Sequence, residues 1–338
     1  MKVLITGGAG YIGSTIASAC ADAGHEPVII DDLSRGLRAF AERFAFYEGD
    51  YADRTLVRRV LSEHHDVAAV VHCAASVVVP ESIADPLAYY ANNVAGLPGF
   101  LAELLAAGCQ RLVLSSTAAL YGEPDAGLVV TEDSVVAPQS PYAASKQMAE
   151  RILADVAAAT GLRSVALRYF NPIGADPRLR SGLPRLRSAD VLGLILAAAQ
   201  DGTPFTVTGV DWPTRDGSGL RDYLHVWDLA LAHVAALEGF DELTAERRHC
   251  VLNLGTGRGT TVLELVAAFE RVTGTKLDVV RGPRRPGDVI GACASADLAT
   301  SLLGWTAGLT LDQASADALA WRTELQSRSG AGTAGDLQ

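Results

Sequence analysis

The sequence lacks the features of several protein classes. Its five cysteines are odd in number and form no CxxC pair, which argues against a zinc site or a disulfide framework and favours a reducing cytoplasm. No apolar run is long enough to span a bilayer, and glycines interrupt the apolar start, so we expect neither a membrane protein nor a signal peptide. The net charge of −11 comes without a basic stripe, so we expect no nucleic-acid partner.

What the first half of the sequence does contain is an alternation of short apolar runs and longer helical patterns. The apolar runs span residues 3–6, 27–31, 45–48, 69–73, 111–115 and 164–168. Continuous apolar strands separated by helices are typical of a parallel sheet that is covered on both faces. The pattern therefore predicts an α/β fold with a doubly wound parallel sheet, the Rossmann arrangement.

The chain opens with a strand that runs into a glycine-rich turn and then a helix. The glycines of this turn are Gly7, Gly10 and Gly13. They let the backbone approach a pyrophosphate, and the helix N-terminus supplies amide donors for it. Asp31 ends the second strand, where a carboxylate accepts both ribose hydroxyls and repels a 2′-phosphate. This predicts NAD over NADP, with Asp32 as an alternative ribose contact, Arg35 as a weak argument for NADP, and Asp50 near the adenine.

The sequence pattern changes after about Asn171, where Gly-, Pro- and Arg-rich loops separate short helices and strands. We expect an NAD-binding Rossmann domain over residues 1–170 and a smaller C-terminal substrate lobe over 171–326. Residues 253–255 and a helix near 263–272 are expected to return to the first domain. The last residues, 327–338, have almost no bulky apolar side chain, which predicts a mobile tail.

A possible catalytic group lies between the two halves. Tyr142 and Lys146 are four residues apart at the start of a predicted helix, so they share a face. An ammonium near a phenol lowers the phenol pKa, which would let Tyr142 exchange a proton with a sugar hydroxyl. Thr117 follows the strand at 111–115, at the end of a parallel strand where such folds bind ligands. These residues predict an enzyme in which a nicotinamide supplies the hydride chemistry.

Several further segments resemble the UDP-glucose/UDP-galactose 4-epimerases, a family of extended short-chain dehydrogenases/reductases. They are His72-Cys-Ala-Ala75, Asn92-Asn-Val94, Ser115-Ser-Thr117, Arg168-Tyr-Phe-Asn171, Asp216-Gly-Ser-Gly-Leu-Arg-Asp-Tyr223 and Arg285-Pro-Gly-Asp288, and the resemblance covers about residues 1–325 in order. It implies NAD-dependent epimerisation of a UDP-hexose at C4 through a transient 4-keto intermediate. It also implies a homodimer that pairs two helices, at 87–105 and 142–158.

The same resemblance implies roles for individual residues. Thr117 and Tyr142 would flank the C4 oxygen of the sugar as catalytic residues, together with Lys146. The implied NAD contacts are Gly7, Gly10, Tyr11, Ile12, Gly13, Asp31, Asp50, Tyr51, Cys73, Ala74, Ala75, Val77, Asn92, Lys146 and Phe170. The implied substrate contacts are Thr117, Tyr142, Asn171, Arg221, Arg285, Asp288 and Ala292. No metal is expected.

Three places depart from the family pattern. Val77 stands where the family commonly has a lysine, and Ser188-Ala189-Asp190 stands where it has Asn-Asn-Leu. Ala292 stands four residues after Asp288, where the family often has Tyr or Cys beside the C2 substituent of the sugar. The small Ala292 therefore predicts room for an N-acetyl group, as in UDP-GlcNAc, UDP-GalNAc or a modified N-acetyl sugar. The exact sugar and nucleotide stay open at this point.

Other activities share this set of residues. A 4,6-dehydratase would need an acidic pair directly after Thr117, and Ala118 and Ala119 stand there instead. A nucleotide-sugar dehydrogenase or reductase uses the same Thr, Tyr and Lys, and it remains the alternative to an epimerase. A catalytically silent NAD-sensing protein would have no need of all three residues.

Overall fold

The structure, a computed structural model, describes residues 1–122, 128–188, 190–284 and 289–330. The strands are β1 Lys2–Thr6, β2 Glu26–Asp31, β3 Ala45–Glu48, β4 Val67–His72, β5 Arg111–Ser115, β6 Val129–Val130, β7 Arg163–Tyr169, β8 Asn171–Ile173, β9 Phe205–Thr208, β10 Leu220–Arg221, β11 Tyr223–His225, β12 His249–Leu254, β13 Thr260–Thr261, β14 Val279–Gly282 and β15 Cys293–Ala294. The α-helices are α1 Tyr11–Asp22, α2 Arg38–Ala41, α3 Arg54–Glu63, α4 Val79–Ala84, α5 Pro86–Tyr90, α6 Leu97–Ala106, α7 Pro141–Ala159, α8 Val191–Asp201, α9 Val226–Glu238, α10 Phe240–Leu243, α11 Val262–Thr273, α12 Asp297–Leu303 and α13 Leu311–Gly330.

The largest sheet has seven parallel strands in the order β12-β7-β5-β4-β1-β2-β3. The strand order reverses direction beside β1, so the carboxyl ends of β1 and β4 border a crevice. Adjacent residues of β1 belong to different cores. Val3 and Ile5 pack toward α1 and α9, whereas Leu4 packs toward α3, α6 and α7. Helices therefore cover both faces, and the predicted doubly wound α/β fold is confirmed.

The predicted return of the chain to this sheet is found at one of two places. Residues 253–255 include the end of β12, which pairs with β7 at the sheet edge. The helix near 263–272 is α11, and it packs instead against α8 and α13. Leu265 and Phe269 of α11 lie in a separate core with Phe205, Leu192 and Ala318. An apolar helix face packs on whichever apolar face is nearest, and sequence periodicity alone does not say which one that is.

The helix predicted at 87–105 is divided in the structure. It comprises α5, a π-helical segment at Ala91–Ala95 and α6, which has a proline in its first turn. A π-helical turn widens the helix by one residue and is often found at functional sites. At the chain's end α13 continues to Gly330 within the predicted mobile tail, and residues 331–338 lie outside the described residues. None of the helices in the described ranges could cross a membrane.

Candidate active site

The glycine turn between β1 and α1 has no space for side chains. Gly7 has a φ of +73°, and a methyl group there would lie 2.7 Å from the Ala74 nitrogen. A methyl group on Gly13 would lie 2.2 Å from the Gly7 carbonyl oxygen. Gly10 precedes α1, and no side chain caps that helix. The arrangement leaves the N-terminal amides of α1 able to receive a diphosphate, so these residues fit NAD.

Tyr11 and Ile12 begin α1, and their side chains turn away from the glycine turn. The Tyr11 phenol donates to the Gly174 carbonyl oxygen at 2.7 Å, and Ile12 packs on the core below the sheet. Burial raises the pKa of Tyr11 well above its usual value, so the phenol stays protonated. Only the main-chain N–H groups of these two residues are left for a phosphate.

The acidic residues after β2 differ in their surroundings. Asp31 is buried beside the glycine turn and accepts hydrogen bonds from the Ala9 and Leu33 amides at 2.9 and 2.8 Å. Asp32 is exposed and accepts from the amide and hydroxyl of Ser34 within its own turn. The position of Asp31 against the turn favours it over Asp32 as the ribose contact.

Arg35, the residue that favoured NADP, is held by a carboxylate. Its guanidinium pairs with Glu81 of α4 at 2.5 Å. An arginine that already pairs with a carboxylate is less available to a 2′-phosphate. The structure thus weakens the argument for NADP that Arg35 gave.

The residues predicted at the adenine lie after β3. Asp50 is exposed and accepts the Ala52 amide at 2.8 Å. The Tyr51 ring is buried against His72 and Phe100, with ring centroids 4.7 and 5.7 Å away. Its phenol donates to the Asn92 carbonyl oxygen. The Tyr51 side chain therefore belongs to the core, and only its main chain is left to face an adenine.

The loop after β4 forms the opposite wall of the crevice. Ala74 lies against Gly7, Ala75 follows it, and the Cys73 thiol is 3.1 Å from the Ser115 hydroxyl. Burial raises the pKa of Cys73 to about 11, so the thiol is protonated at neutral pH. Val77, at the position of the expected lysine, is 55% exposed and adds no charge to this wall.

The π-helical segment fastens this loop to α7 through a residue that our sequence reasoning did not single out. Asn93 is buried, accepts the Ser76 amide at 2.8 Å and donates to the Ser145 hydroxyl at 2.9 Å. The predicted cofactor contact, Asn92, donates to the Asn93 side-chain oxygen at 2.9 Å. The two consecutive asparagines were the only feature of the sequence that could have indicated this connection between the loop after β4 and α7.

The helix that carries the predicted catalytic pair has a well-defined start. The Ser140 hydroxyl accepts the Ala143 amide at 3.2 Å, and Pro141 occupies the first helical position. Tyr142 therefore lies in the first turn of α7, and Lys146 lies one turn later on the same face. Both side chains are buried.

Thr117, Tyr142 and Lys146 meet at the carboxyl end of β5. The Thr117 hydroxyl lies beside the Tyr142 phenol. The Lys146 ammonium donates to the Ser115 carbonyl oxygen at 2.9 Å, and burial lowers its pKa to about 8. Burial raises the pKa of Tyr142 to about 12, an effect that the Thr117 hydroxyl opposes. The pKa of Tyr142 is therefore raised, in contrast to the predicted lowering by Lys146, because burial of the phenol outweighs the opposing effect.

The predicted substrate residues are distributed over several segments. Of these, Ala292 packs in a small cluster with Ala118 and Tyr121, against which Phe170, a predicted NAD contact, also packs. Arg221 donates from one guanidinium nitrogen to the main-chain oxygens of Leu220 and Ile290, at 2.7 and 3.3 Å, and Asn171 is exposed at the start of β8. Arg285 and Asp288 lie outside the described residues, as does Ala189, whereas Asp190 caps α8 by accepting the Gly193 amide.

A buried ion pair near the predicted catalytic residues was missing from our sequence reasoning. Arg168 of β7 binds Glu150 of α7 at 2.5 Å, and both side chains are buried. Isolated charged residues in a sequence give no sign of such a pairing. Within the described part of the chain, no group of three or more His, Cys, Asp or Glu side chains could hold a metal ion.

Comparison with known proteins identifies the family. A UDP-glucose 4-epimerase from Azospirillum brasilense is 43% identical over 328 residues, which is 96% of this chain and 93% of the relative. The crystal structure of UDP-glucose-4-epimerase from Stenotrophomonas maltophila with bound NAD and formylated UDP-arabinopyranose has a TM-score of 0.91 and 38% identity. It covers 97% of this chain and 99% of that one. The UDP-Glc/GlcNAc 4-epimerase from Campylobacter jejuni has a TM-score of 0.81 and 35% identity, and covers 96% of this chain and 99% of that one.

The family profile described as "NAD dependent epimerase/dehydratase family" matches residues 3–255. The predicted extended short-chain dehydrogenase/reductase fold and the predicted dependence on NAD are thereby confirmed. The chain belongs to the NAD dependent epimerase/dehydratase family.

Proposed function

We propose that this chain is an NAD-dependent 4-epimerase of UDP-hexoses, with UDP-glucose and UDP-galactose as its basic substrate pair. The observation that carries the proposal is the placement of Thr117, Tyr142 and Lys146 together at the carboxyl end of β5, where Lys146 donates to the Ser115 carbonyl oxygen and both Tyr142 and Lys146 are buried. The relatives reported above, which are named as UDP-glucose 4-epimerases, support the same activity. NAD, when bound, would supply the reversible hydride acceptor that oxidation and reduction at C4 of the sugar require.

In this proposal Tyr142 carries the proton of the C4 hydroxyl. The phenol is protonated in the free protein, because burial raises its pKa to about 12. Ionisation of Tyr142 would therefore need a compensating positive charge, which oxidised NAD would supply when bound, and the Thr117 hydroxyl would favour the phenolate. Thr117 would hold the sugar C4 oxygen beside Tyr142, and Lys146 would fix both β5 and the nicotinamide half of the cofactor.

The test of the activity is direct. UDP-glucose and UDP-galactose are incubated separately with the purified protein, and the C4 epimers are resolved by NMR. We expect both incubations to reach the same mixture without net formation of NADH. Net NADH turnover would indicate the alternative, a nucleotide-sugar dehydrogenase or reductase. No change at C4 from either sugar would refute the epimerase.

The remaining predicted contacts are part of the proposal. The NAD contacts would be Gly7, Gly10 and Gly13, the amides of Tyr11 and Ile12, the carboxylates of Asp31 and Asp50, the main chain of Tyr51, and residues Cys73, Ala74, Ala75, Val77, Asn92, Lys146 and Phe170. The UDP portion would be held by Asn171, Arg221, Arg285 and Asp288. Arginine suits this role because its planar guanidinium can bind two phosphate oxygens. We likewise propose the division into an NAD-binding domain at 1–170 and a mainly substrate-binding lobe at 171–326.

We further propose that the enzyme accepts N-acetylated UDP-hexoses. Ala292 is buried in a cluster with Ala118, the residue directly after Thr117, and with Phe170. The neighbouring Cys293 is directed elsewhere, since its thiol lies 3.6 Å from the Leu128 carbonyl oxygen. A methyl side chain at position 292 occupies less of this wall than the Tyr or Cys side chain expected from the family. The name of the Campylobacter relative, a UDP-Glc/GlcNAc 4-epimerase, supports this reading.

Replacing Ala292 by Tyr tests the substrate proposal. We expect turnover of UDP-GlcNAc to fall about 10- to 200-fold, the range for filling one small subsite, while UDP-glucose turnover is retained. Ala292→Cys, which adds only a thiol, serves as the control and should keep both activities. Equal loss of both substrates in Ala292→Tyr, or a wild type inactive on every N-acetyl sugar, would contradict the proposal.

We also propose a homodimer formed by α7 and the neighbouring α5–α6 helices. Alpha5 and the π-helical segment pack along α7. Beside this junction Ile83, Leu87 and Met148 are 65%, 79% and 45% exposed. Exposed apolar side chains on adjacent helices are typical of an interface.

Light scattering at micromolar concentration should give the mass of a dimer for the wild type. Leu87→Glu should shift the protein toward the monomer. Leu302→Glu alters a leucine of α12 that is 47% exposed, far along the chain from this surface, and should leave the mass unchanged. A monomeric wild type would refute the dimer.

A further inference from the structure

The buried carboxylate of Glu150 connects three segments around the proposed catalytic residues. Glu150 lies on α7, and it is hydrogen-bonded to Ser116 just after β5 and to Arg168 on β7. Glu150 belongs to α7, one helical turn beyond Lys146. The Ser116 hydroxyl donates to it at 2.5 Å, and the Arg168 guanidinium donates to both of its oxygens, at 3.0 and 2.5 Å. Ser116 is the residue directly before Thr117.

We propose that Glu150 is a positioning residue, which holds Thr117 in register with Tyr142 through its bond to Ser116. The inference rests on the proposed function, since it assigns a role within that same site. The hydrogen-bond partners of Glu150 are Ser116 and Arg168, so Glu150 would act on Thr117 through the main chain of the neighbouring Ser116. A carboxylate that accepts a bidentate hydrogen bond from an arginine and a third hydrogen bond from a hydroxyl has little freedom to move.

The Arg168 side of this ion pair also contacts the proposed sugar wall around Ala292. Arg168 also donates to the Tyr121 phenol at 2.9 Å, and that phenol donates to the Asn253 side chain at 2.7 Å. Tyr121 packs in the cluster that contains Ala292, on the proposed sugar wall. The bonds thus run without interruption from Ser116, the residue before Thr117, to the wall that would border the sugar.

The placement of this ion pair matters because buried charges are costly. Glu150 and Arg168 are each less than a tenth exposed, and an apolar pair of the same volume often stabilises a fold equally well. What an ion pair adds is fixed geometry. Reaction geometry is sensitive to displacements of about 1 Å, which can cost about 10²-fold in rate. A rigid link between α7 and the chain just after β5 would keep Thr117 beside Tyr142.

Glu150 also acts on the charge of Lys146. Burial lowers the pKa of Lys146 to about 8, and the negative charge of the Glu150 carboxylate opposes this lowering. His72, behind Lys146, is neutral because burial lowers its pKa to about 3, and Tyr142 on the same helix is protonated. Beyond Glu150 lies the positive Arg168. Loss of the Glu150 charge would therefore lower the Lys146 pKa further.

The first experiment compares two buried serines. Ser116→Ala removes the hydroxyl that binds Glu150 but leaves the ion pair with Arg168 intact. Ser164→Ala is the matched control, because Ser164 is fully buried on the neighbouring β7 and its hydroxyl bonds to His249 at 2.8 Å. Ser164 lies near the amino end of β7, away from the site.

We expect kcat of Ser116→Ala to fall about tenfold, with KM and NAD content within twofold of the wild type. Ser164→Ala should lose a similar amount of thermal stability and keep its kcat within twofold. Equal kcat values in the two variants would overturn the proposal. An inactive wild type would instead refute the proposed function, so the two failures are distinguishable.

The second experiment is the pH profile of Glu150→Gln. We expect the alkaline limb of kcat, at which Lys146 loses its charge, to move to lower pH by about one unit. A purely structural role of Glu150 would lower the amount of folded enzyme without moving the limb. An unshifted limb in active Glu150→Gln would overturn the link to Lys146. If Glu150→Gln does not fold, the serine comparison alone decides the proposal.

Discussion

Substitution of Gly13 by alanine provides a sharp test of the cofactor cradle. The added methyl carbon would lie 2.2 Å from the Gly7 carbonyl oxygen, more than 1 Å short of the 3.4 Å at which ordinary contact begins. Both partners belong to the backbone, so neither can swing aside. Relief requires a shift of the turn or of α1. Overpacking of this kind costs about 1–3 kcal/mol, and we expect the upper end here.

The shift should appear mainly as lost affinity for NAD. The displaced amides are those that would bind the diphosphate, and about 3 kcal/mol corresponds to a roughly 100-fold higher Kd. Calorimetric titration of NAD into cofactor-free protein measures this directly. Gly308→Ala is the control, since nothing lies within 4 Å of a methyl group there. NAD affinity of Gly13→Ala within threefold of the wild type would refute the proposed cradle.

Three further predictions concern the proton carrier, the cofactor choice and acid stability. Tyr142→Phe should lower turnover at least ~10²-fold in the NMR assay with NAD still bound, and near-normal turnover would remove Tyr142 from the mechanism. Asp31→Ala should weaken NAD binding and relax discrimination against NADP, whereas a wild type that prefers NADP would contradict the role of Asp31. Burial lowers the pKa of His72 to about 3 and the pKa of His233 to about 4, from the ordinary histidine value of 6.5. Below pH 6.5 the unfolded chain therefore binds more protons than the folded protein. The free energy of unfolding should therefore fall as pH drops from 7 to 5, by roughly 2 kcal/mol per histidine at pH 5. In urea unfolding, His233→Asn should remove its share of that slope and the exposed His65→Ala should not; equal slopes in both variants would contradict the assignment.

The sheet was largely predictable from the sequence. Predicted runs at 45–48 and 111–115 coincide with β3 and β5, because buried parallel strands are continuous apolar segments with clear ends. The edge strand β12 was expected to rejoin the sheet, whereas the packing of α11 was not predictable. Leu265 and Phe269 mark the apolar face of α11, but the helices that cover this face come from distant parts of the chain.

Within the candidate site, the sequence indicated candidate residues but not the contacts that they make. Spacing placed Tyr142 and Lys146 on one face of α7, but could not tell that the ammonium turns to the Ser115 carbonyl oxygen. Likewise the position of Tyr51 after β3 was predicted, although its side chain is in the core. The link from Ser116 through Glu150 depends on contacts between residues distant in sequence, for which a single sequence holds no pattern.

The most direct test of the account uses substrate labelled with deuterium at C4 of the glucose in UDP-glucose. The label would pass from C4 to the bound cofactor and return to C4 of the same sugar on the opposite face. We predict UDP-galactose that retains deuterium at C4, formed in ordinary water and without accumulation of reduced cofactor. UDP-galactose that lacks the label, or oxidised sugar formed together with stoichiometric NADH, would contradict the proposed epimerisation.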